Sequence, residues 1–271
     1  MATTTAPSTH DVLITEDDGV LTVTLNRSHA RNALSEAALD VLEAALADVL
    51  RRAGEVRVVV FRGAGGTFCA GGDLKAFRDG FQTESDPDTT ARMNRRLGTL
   101  LTALDRLPAV VIAAVEGAAM GGGVGLATVA DVTIATADAR FSMTETTLGL
   151  PPAQISPFVV ARVGAHQARR LMLTAAVLDA TEAAGVGLVD TVVADAESLD
   201  REIARVTAAV RRCAPLANAM SKTLVHRVAE VPHEALLDEA ARLFAEALLG
   251  AEARAGVQAF VDRRPAPWGQ P

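Results

Sequence analysis

The stretch Ala114-Val-Glu-Gly-Ala-Ala-Met-Gly-Gly-Gly-Val-Gly-Leu126 carries an apolar, strand-like run into three consecutive glycines where a helix should begin. Each glycine in a helical turn forfeits roughly 0.5–1 kcal/mol relative to alanine. Gly121, Gly122, Gly123 and Gly125 therefore need a compensating reason. Two are open: close backbone packing, or presentation of bare peptide N–H groups to a ligand at the positive end of a helix.

Working outward, residues 110–114 read as a buried strand that ends in the glycine segment, and residues 132–135 as a short strand after it. Residues 141–149 carry Glu145 toward the Pro151-Pro152 break. Upstream, residues 12–15 and 20–25 alternate as strands around Asp17-Asp18-Gly19, a hairpin signal. Ser35 caps a helix running to about Arg52, with Leu39, Leu42, Leu46 and Leu50 on one face. Residues 56–61 form a β-branched run of the fully buried kind. Then come Gly63-Ala-Gly-Gly66 and Phe68-Cys-Ala-Gly-Gly-Asp-Leu-Lys75. A polar stretch, 78–90, reads as a surface loop before a helix at about 93–104.

Beyond residue 202 strands disappear, and helical periodicity covers 203–213, 216–228, 233–249 and 251–261. The expected organisation is a frayed N-terminus over 1–10, an α/β core over 11–200 and a helical segment over 201–271. Leu236, Leu237, Leu243, Phe244 and Leu248 in that segment either pack on their own core or form an oligomer interface.

The chain of 271 residues is 49% hydrophobic, enough to bury a large core. Its net charge of −7, with no basic stripe, argues against nucleic acid but not against a small phosphorylated ligand. Two cysteines, Cys69 and Cys213, are too few for a disulfide framework and lack zinc spacing, so a cytoplasmic, reducing location is expected. The small, polar first ten residues contain no apolar signal core. The nearly apolar run 107–130 holds Pro108, Glu116 and the glycines, and reads as strand plus helix rather than a membrane span. The five histidines show no metal-ligand spacing, so no metal is expected. The glycine run is not a dinucleotide fingerprint, because no Gly-x-Gly-x-x-Gly occurs there. Cys69 lacks an identifiable base for a nucleophilic role.

Taken in order, Leu25-Asn-Arg27, Asn32-Ala-Leu34, Phe68-Cys-Ala-Gly-Gly-Asp-Leu-Lys75, Glu116-Gly-Ala-Ala-Met-Gly-Gly-Gly123, Asp131, Phe141, Gly149-Leu-Pro151 and the tail 253–264 resemble the crotonase family. These are enoyl-CoA hydratases and isomerases acting on acyl-CoA thioesters. The resemblance implies an α/β fold with a ββα spiral core and a C-terminal α-helical oligomerisation segment that makes trimers or pairs of trimers. It implies no cofactor apart from the coenzyme A of the substrate. It also explains the glycines: proton transfer beside a thioester carbonyl builds negative charge on the oxygen, which two fixed amides stabilise, each worth on the order of 10²–10³ in rate.

By motif position the resemblance assigns those amides to Ala70 and Gly122, and the proton-transfer carboxylate to Glu145. It places Arg31, Ala33 (through its backbone) and Lys75 against the coenzyme's nucleotide half, and Gly71, Asp73, Leu74 and Gly121 along the substrate. Surface salt bridging is the alternative for Arg31 and Lys75. Arg263 and Arg264 are candidates for a phosphate. Gln154, in a Pro-Pro-Ala-Gln run similar to that of hydratases for branched glutaconyl-CoA thioesters, holds a water or a distal carboxylate, or else caps a helix. One departure matters. Many hydratases carry a second glutamate where this chain has Gly125, which keeps a Δ3,Δ2-enoyl-CoA isomerase open beside hydration. A non-catalytic acyl-CoA-binding protein becomes preferable if Glu145 faces solvent or a side chain fills the space between residues 70 and 122.

Overall fold

The computed structural model describes residues 10–73, 78 and 86–269. Alternating residues of β1 (Val12–Asp17) and β2 (Val20–Leu25) pair as the expected hairpin. From β2 onward the main sheet is parallel, running β1-β2-β3-β4-β6-β9 with β3 (Val58–Gly63), β4 (Val110–Val115), β6 (Val132–Thr136) and β9 (Thr191–Val193). A second, three-stranded sheet runs β5-β7-β8, from β5 (Ala118–Met120), β7 (Arg140–Ser142) and β8 (Leu178–Asp179).

The parallel strands are apolar on both faces because both are covered. One face adds Val59, Phe61, Val111, Ala113 and Val115 to the larger core, under α1 (Glu36–Arg51) and α2 (Pro87–Asp105). The other places Val58, Val60, Ile112, Ala114 and Ile134 against Leu199. Leu199 lies on α6 (Ala196–Arg211), whose Ile203, Val206 and Val210 complete that layer. The expected boundary at residue 200 therefore falls inside a helix that belongs to the sheet. Arg57 reinforces this joint by donating to the carbonyls of Val210 (3.0 Å) and Cys213 (2.5 Å) at the end of α6.

Ser35 caps α1 by accepting the Ala38 N–H, as its position predicts, although Leu50 ends up exposed and Val49 takes the buried place. The helix expected at 93–104 begins earlier. Asp86 caps it through the Thr89 N–H and Pro87 opens it, so its polar first turns hide the start that the apolar period marks. The rest of the 78–85 stretch, Arg78 excepted, lies outside the described residues, as do residues 1–9.

Missing from the sequence reading is α4 (Ser156–Thr174), which follows the proline break and is interrupted at Gly164. The small helices α3 (Gly122–Thr128) and α5 (Ala180–Gly185) lie on either side of it in the chain. The C-terminal helices α7 (Pro215–Arg227), α8 (His233–Leu249) and α9 (Ala251–Val261) form where the periodicity put them. Lys222 of α7 ties this segment to the core through Asp131 (2.7 Å).

Asn32 is buried and held at φ +56°. Its Oδ1 accepts the Arg27 N–H (2.9 Å), and its Nδ2 donates to the carbonyls of Ala64 (2.9 Å) and Thr67 (2.6 Å). Asparagine tolerates this left-handed backbone better than most residues. Asn32→Ala strands these buried partners and is expected to cost about 2–3 kcal/mol, read as a lower urea midpoint with an unchanged slope.

Candidate functional site

Two segments distant in sequence are zipped together by main-chain bonds. Phe68 N–H donates to the Glu116 carbonyl (2.8 Å), Cys69 N–H to Ala118 (3.0 Å), and Met120 N–H to Cys69 (2.8 Å). On the far side, Gly121 N–H donates to the Ser142 carbonyl (2.8 Å). The pairing then stops. Gly71, at φ +90°, turns the first segment away, and a Cβ there would stand 2.7 Å from the Met120 carbonyl oxygen and 3.2 Å from the Gly122 nitrogen. Only glycine lets the two backbones approach this closely.

Counting amides at this junction separates the candidates. Ala70 N–H donates to the Arg31 carbonyl (3.0 Å), so Ala70, expected to face the thioester oxygen, is already engaged. Gly71 N–H faces Cys69 Sγ at 3.4 Å. Gly72 N–H meets no acceptor among the described residues. Gly122 opens α3, so its N–H has no partner one turn back in the helix and meets none elsewhere among the described residues. The pair of amides open to a ligand is thus Gly72 and Gly122. The step from Ala70 to Gly72 follows from the pairing: the residue that still lies in register spends its N–H, and the one beyond the turn does not.

The glycines of the 121–125 run divide by role. A Cβ on Gly123 would fall 2.3 Å from the Cys69 carbonyl oxygen, so this glycine serves packing. A Cβ on Gly122 would meet only ordinary contacts, with Leu97 Cδ2 at 3.5 Å and Gly71 Cα and Leu34 Cδ1 at 3.7 Å, so packing does not by itself demand glycine here. Gly121 takes φ +50°, and its missing side chain leaves room for Glu145: a Cβ would lie 2.9 Å from Glu145 Oε1. At Gly125 a Cβ would lie 2.5 Å from Ile155 Cγ2 and 3.2 Å from Leu101 Cδ1. The position of the second glutamate is filled with hydrocarbon.

Glu145 opens a short 3-10 turn (Glu145–Leu148) directly after β7. Its Oε2 is buried with no hydrogen-bond partner. Loss of water around the carboxylate pushes its pKa above the usual range, and a bond from its own backbone only partly opposes this. Glu145 Oε2 is thus withdrawn from solvent, and among the described residues the side chains nearest a Gly122 Cβ, Leu97 and Leu34, stand at ordinary contact distance. The first condition that would favour a non-catalytic binding protein, a Glu145 carboxylate facing solvent, is unmet at Oε2.

The other expected site residues disperse. Asp73 pairs with Arg27 (3.0 Å), whose Nη1 donates to the Ala33 carbonyl (2.7 Å) while its Nε meets Asp11 (3.2 Å). Asp73 and the Ala33 backbone therefore brace the loop under the site, and the Ala33 N–H is spent on Ala30. Arg31 is exposed at φ +49°. Leu74 and Lys75 lie outside the described residues. Gln154 bonds to Asn94 (2.8 Å) rather than capping α4. Arg264 pairs with Asp262 (3.2 Å). The Cys69 thiol, wholly buried, is pushed up to about 12 by desolvation and is inert as a nucleophile. Among the described residues no three His, Cys, Asp or Glu side chains gather as a metal site, and no helix is long and apolar enough to cross a membrane.

Sequence reasoning missed Gly72, Ile155 and the bracing role of Arg27. Arg27 and Asn32 were visible as motif residues, but nothing in one sequence says that they meet each other.

The profile of the enoyl-CoA hydratase/isomerase family matches residues 15–271. Among solved structures the chain is similar to Pseudomonas aeruginosa AtuE, at 47% identity and a TM-score of 0.93, covering 96% of this chain and all of that one. It is 33% identical over 253 residues to human enoyl-CoA hydratase domain-containing protein 2, mitochondrial, covering 92% of this chain and 85% of the relative. To mouse methylglutaconyl-CoA hydratase, mitochondrial, it is 29% identical over 255 residues, covering 92% and 79%. With the glycine-built junction, the buried glutamate and the family profile all falling on the same residues, the chain belongs to the enoyl-CoA hydratase/isomerase family.

Proposed function

We propose that this enzyme adds water to an α,β-unsaturated acyl-CoA thioester through an enolate held by the Gly72 and Gly122 amides. The observation that carries this reading is the junction itself: two adjoining glycine segments with N–H groups unspent among the described residues, beside a carboxylate whose buried Oε2 meets no hydrogen-bond partner there. Glu145 takes a proton from water as the oxygen bonds to C3. The displaced π electrons move through C2 onto the thioester oxygen, where the two amides stabilise them. Glu145 then returns the proton to C2, so one carboxylate serves both halves of the step. No cofactor is invoked beyond the substrate's own coenzyme A. The Pro151–Gln154 run and the methylglutaconyl-CoA hydratase relatives support a branched, glutaconyl-like acyl group. The two free thiols suit a reducing compartment such as the cytoplasm.

Isomerisation is the second reading, favoured by one observation: Ile155 and Leu101 fill the space at Gly125, so a single carboxylate works at this site. There, Glu145 takes the C2 proton of a 3-enoyl thioester and returns it to C4. An ultraviolet assay with 2-enoyl, 3-enoyl and 3-methylglutaconyl CoA thioesters separates the readings. Loss of conjugated absorbance with 2-enoyl substrates marks hydration, gain with 3-enoyl substrates marks isomerisation, and silence throughout defeats both.

Glu145→Gln is expected to lower kcat by on the order of 10²–10⁴ while thioester affinity is retained; full turnover would remove Glu145 from the mechanism. Because the folded state raises this pKa, it holds the proton more tightly than the unfolded chain does. Stability therefore declines as pH rises from the ordinary glutamate value through the folded one. The variant should lose that slope and melt higher than the parent at neutral pH. The acid limb of kcat/KM should lie above the usual glutamate range, since the base must be ionised.

The amide assignment has its own readout. In a 15N-labelled sample titrated with a saturated acyl-CoA, the Gly72 and Gly122 amide protons should move downfield while Ala70 stays put. Movement of Ala70 instead would reinstate it as a donor.

We also infer a trimer or a pair of trimers from the helical segment. Its Leu237, Phe244 and Leu248 on α8 and Val257, Phe260 and Val261 on α9 stand exposed, Phe260 by 84%. Sedimentation equilibrium should give a trimer or hexamer mass, and Phe260→Lys should shift it toward the monomer. A monomeric parent would overturn the assignment.

A further inference from the structure

The face of α2 that brings Leu97 to Gly122 and Leu101 to Gly125 continues through Asn94 and Gly98, at helical spacing. Gln154 crosses this face. Its Nε2 donates to Asn94 Oδ1 (2.8 Å), and its Oε1 occupies the place of a Gly98 side chain, 2.0 Å from where a Cβ would be. Arg95 Nη1 reaches the same bare spot, 2.9 Å from that Cβ position.

Arg95 contrasts with its neighbour. Arg96 is held by Asp40 and Glu43, whereas Arg95 makes one long hydrogen bond, to Thr99 Oγ1 (3.2 Å), and no ion pair among the described residues. A guanidinium has five N–H donors in a planar fork suited to a carboxylate. Asn94 keeps its amide donors as well, because its oxygen is the atom engaged by Gln154. A polar cluster with unspent donors thus lies on the same helix face as Leu97, which touches the Gly122 position, and Leu101, which with Ile155 fills the Gly125 position.

We propose that Arg95, aided by Asn94, recognises a carboxylate at the far end of the acyl group, so that the substrate is the mono-CoA thioester of an unsaturated dicarboxylic acid. This rests on the reading that seats the thioester at Gly72 and Gly122, from which an acyl chain passing Leu97 runs toward the cluster. Gly98 has a role in this arrangement, since any side chain there displaces the Gln154 amide.

The test compares kcat/KM for glutaconyl-CoA and for uncharged 2-pentenoyl-CoA in the parent, in Arg95→Gln and in Arg92→Gln as a control on the same helix. The ratio of the two should favour glutaconyl-CoA in the parent and fall on the order of 10-fold to 100-fold in Arg95→Gln, with the control unchanged. An unaltered ratio in Arg95→Gln, with turnover present, overturns the carboxylate site and leaves the hydration reading standing. If neither thioester turns over, calorimetry with glutaryl-CoA and pentanoyl-CoA decides. A preference for glutaryl-CoA that Arg95→Gln abolishes upholds the site while the catalytic reading falls, and no preference overturns the site as well.

Discussion

The main-chain pairing of Phe68 and Cys69 with the Glu116–Met120 strand, and its abrupt end, is the constraint on which the site depends. Up to Met120 the zipper is bonded, and beyond it the glycines turn both chains so that the Gly72 and Gly122 amides meet no acceptor among the described residues. Unpaired buried amides are rare because each costs free energy comparable to a lost hydrogen bond. A fold that keeps two such amides at one junction, Gly122 buried and Gly72 half-buried, has left them for something else. In the proposed reaction, the thioester oxygen that gains negative charge takes that place.

What braces the zipper is polar and buried beneath it. Asn32 fastens Arg27 to the loop before Phe68, and Arg27 in turn holds Asp73, Asp11 and the Ala33 carbonyl. Ser35 also bonds Asp11, so the cap of α1 is joined to the same network. Rigid support of this kind keeps two amides fixed while charge develops, with no reorganisation needed at that moment. Ala33, a coenzyme contact by motif position, and Asp73 thus also brace the donor loop.

The sequence exposed the parts that are local. Hairpin, capped helix and glycine run follow from period, cap chemistry and the cost of glycine, and His233–Leu249 and Ala251–Val261 form at the expected bounds. Harder to see were features that depend on partners distant along the chain. Gly72 rather than Ala70 emerges only once the Ala70 amide is seen to reach Arg31. Ile155 gains meaning only from its contact with Gly125. The start of α2 was hidden because its first turns lie on the surface and carry no apolar signal, and α4 because a proline break masked the helix behind it.

Glu145 shows what the arrangement costs. A carboxylate with a buried, unpartnered oxygen is destabilising when ionised, and an arginine nearby would relieve it. Such a partner would also hold the charge on the carboxylate and weaken it as a base. Leaving Oε2 unpaired therefore trades stability for basicity. The trade is possible because Gly121 has no side chain to crowd the carboxylate and because the surrounding core is large. The same logic accounts for Gly125. A second ionised carboxylate next to Ile155 and Leu101 would carry its own desolvation penalty and would repel the first. Filling that space with hydrocarbon leaves one acid, with its pKa raised by burial, which in the proposed reaction carries the proton in both directions.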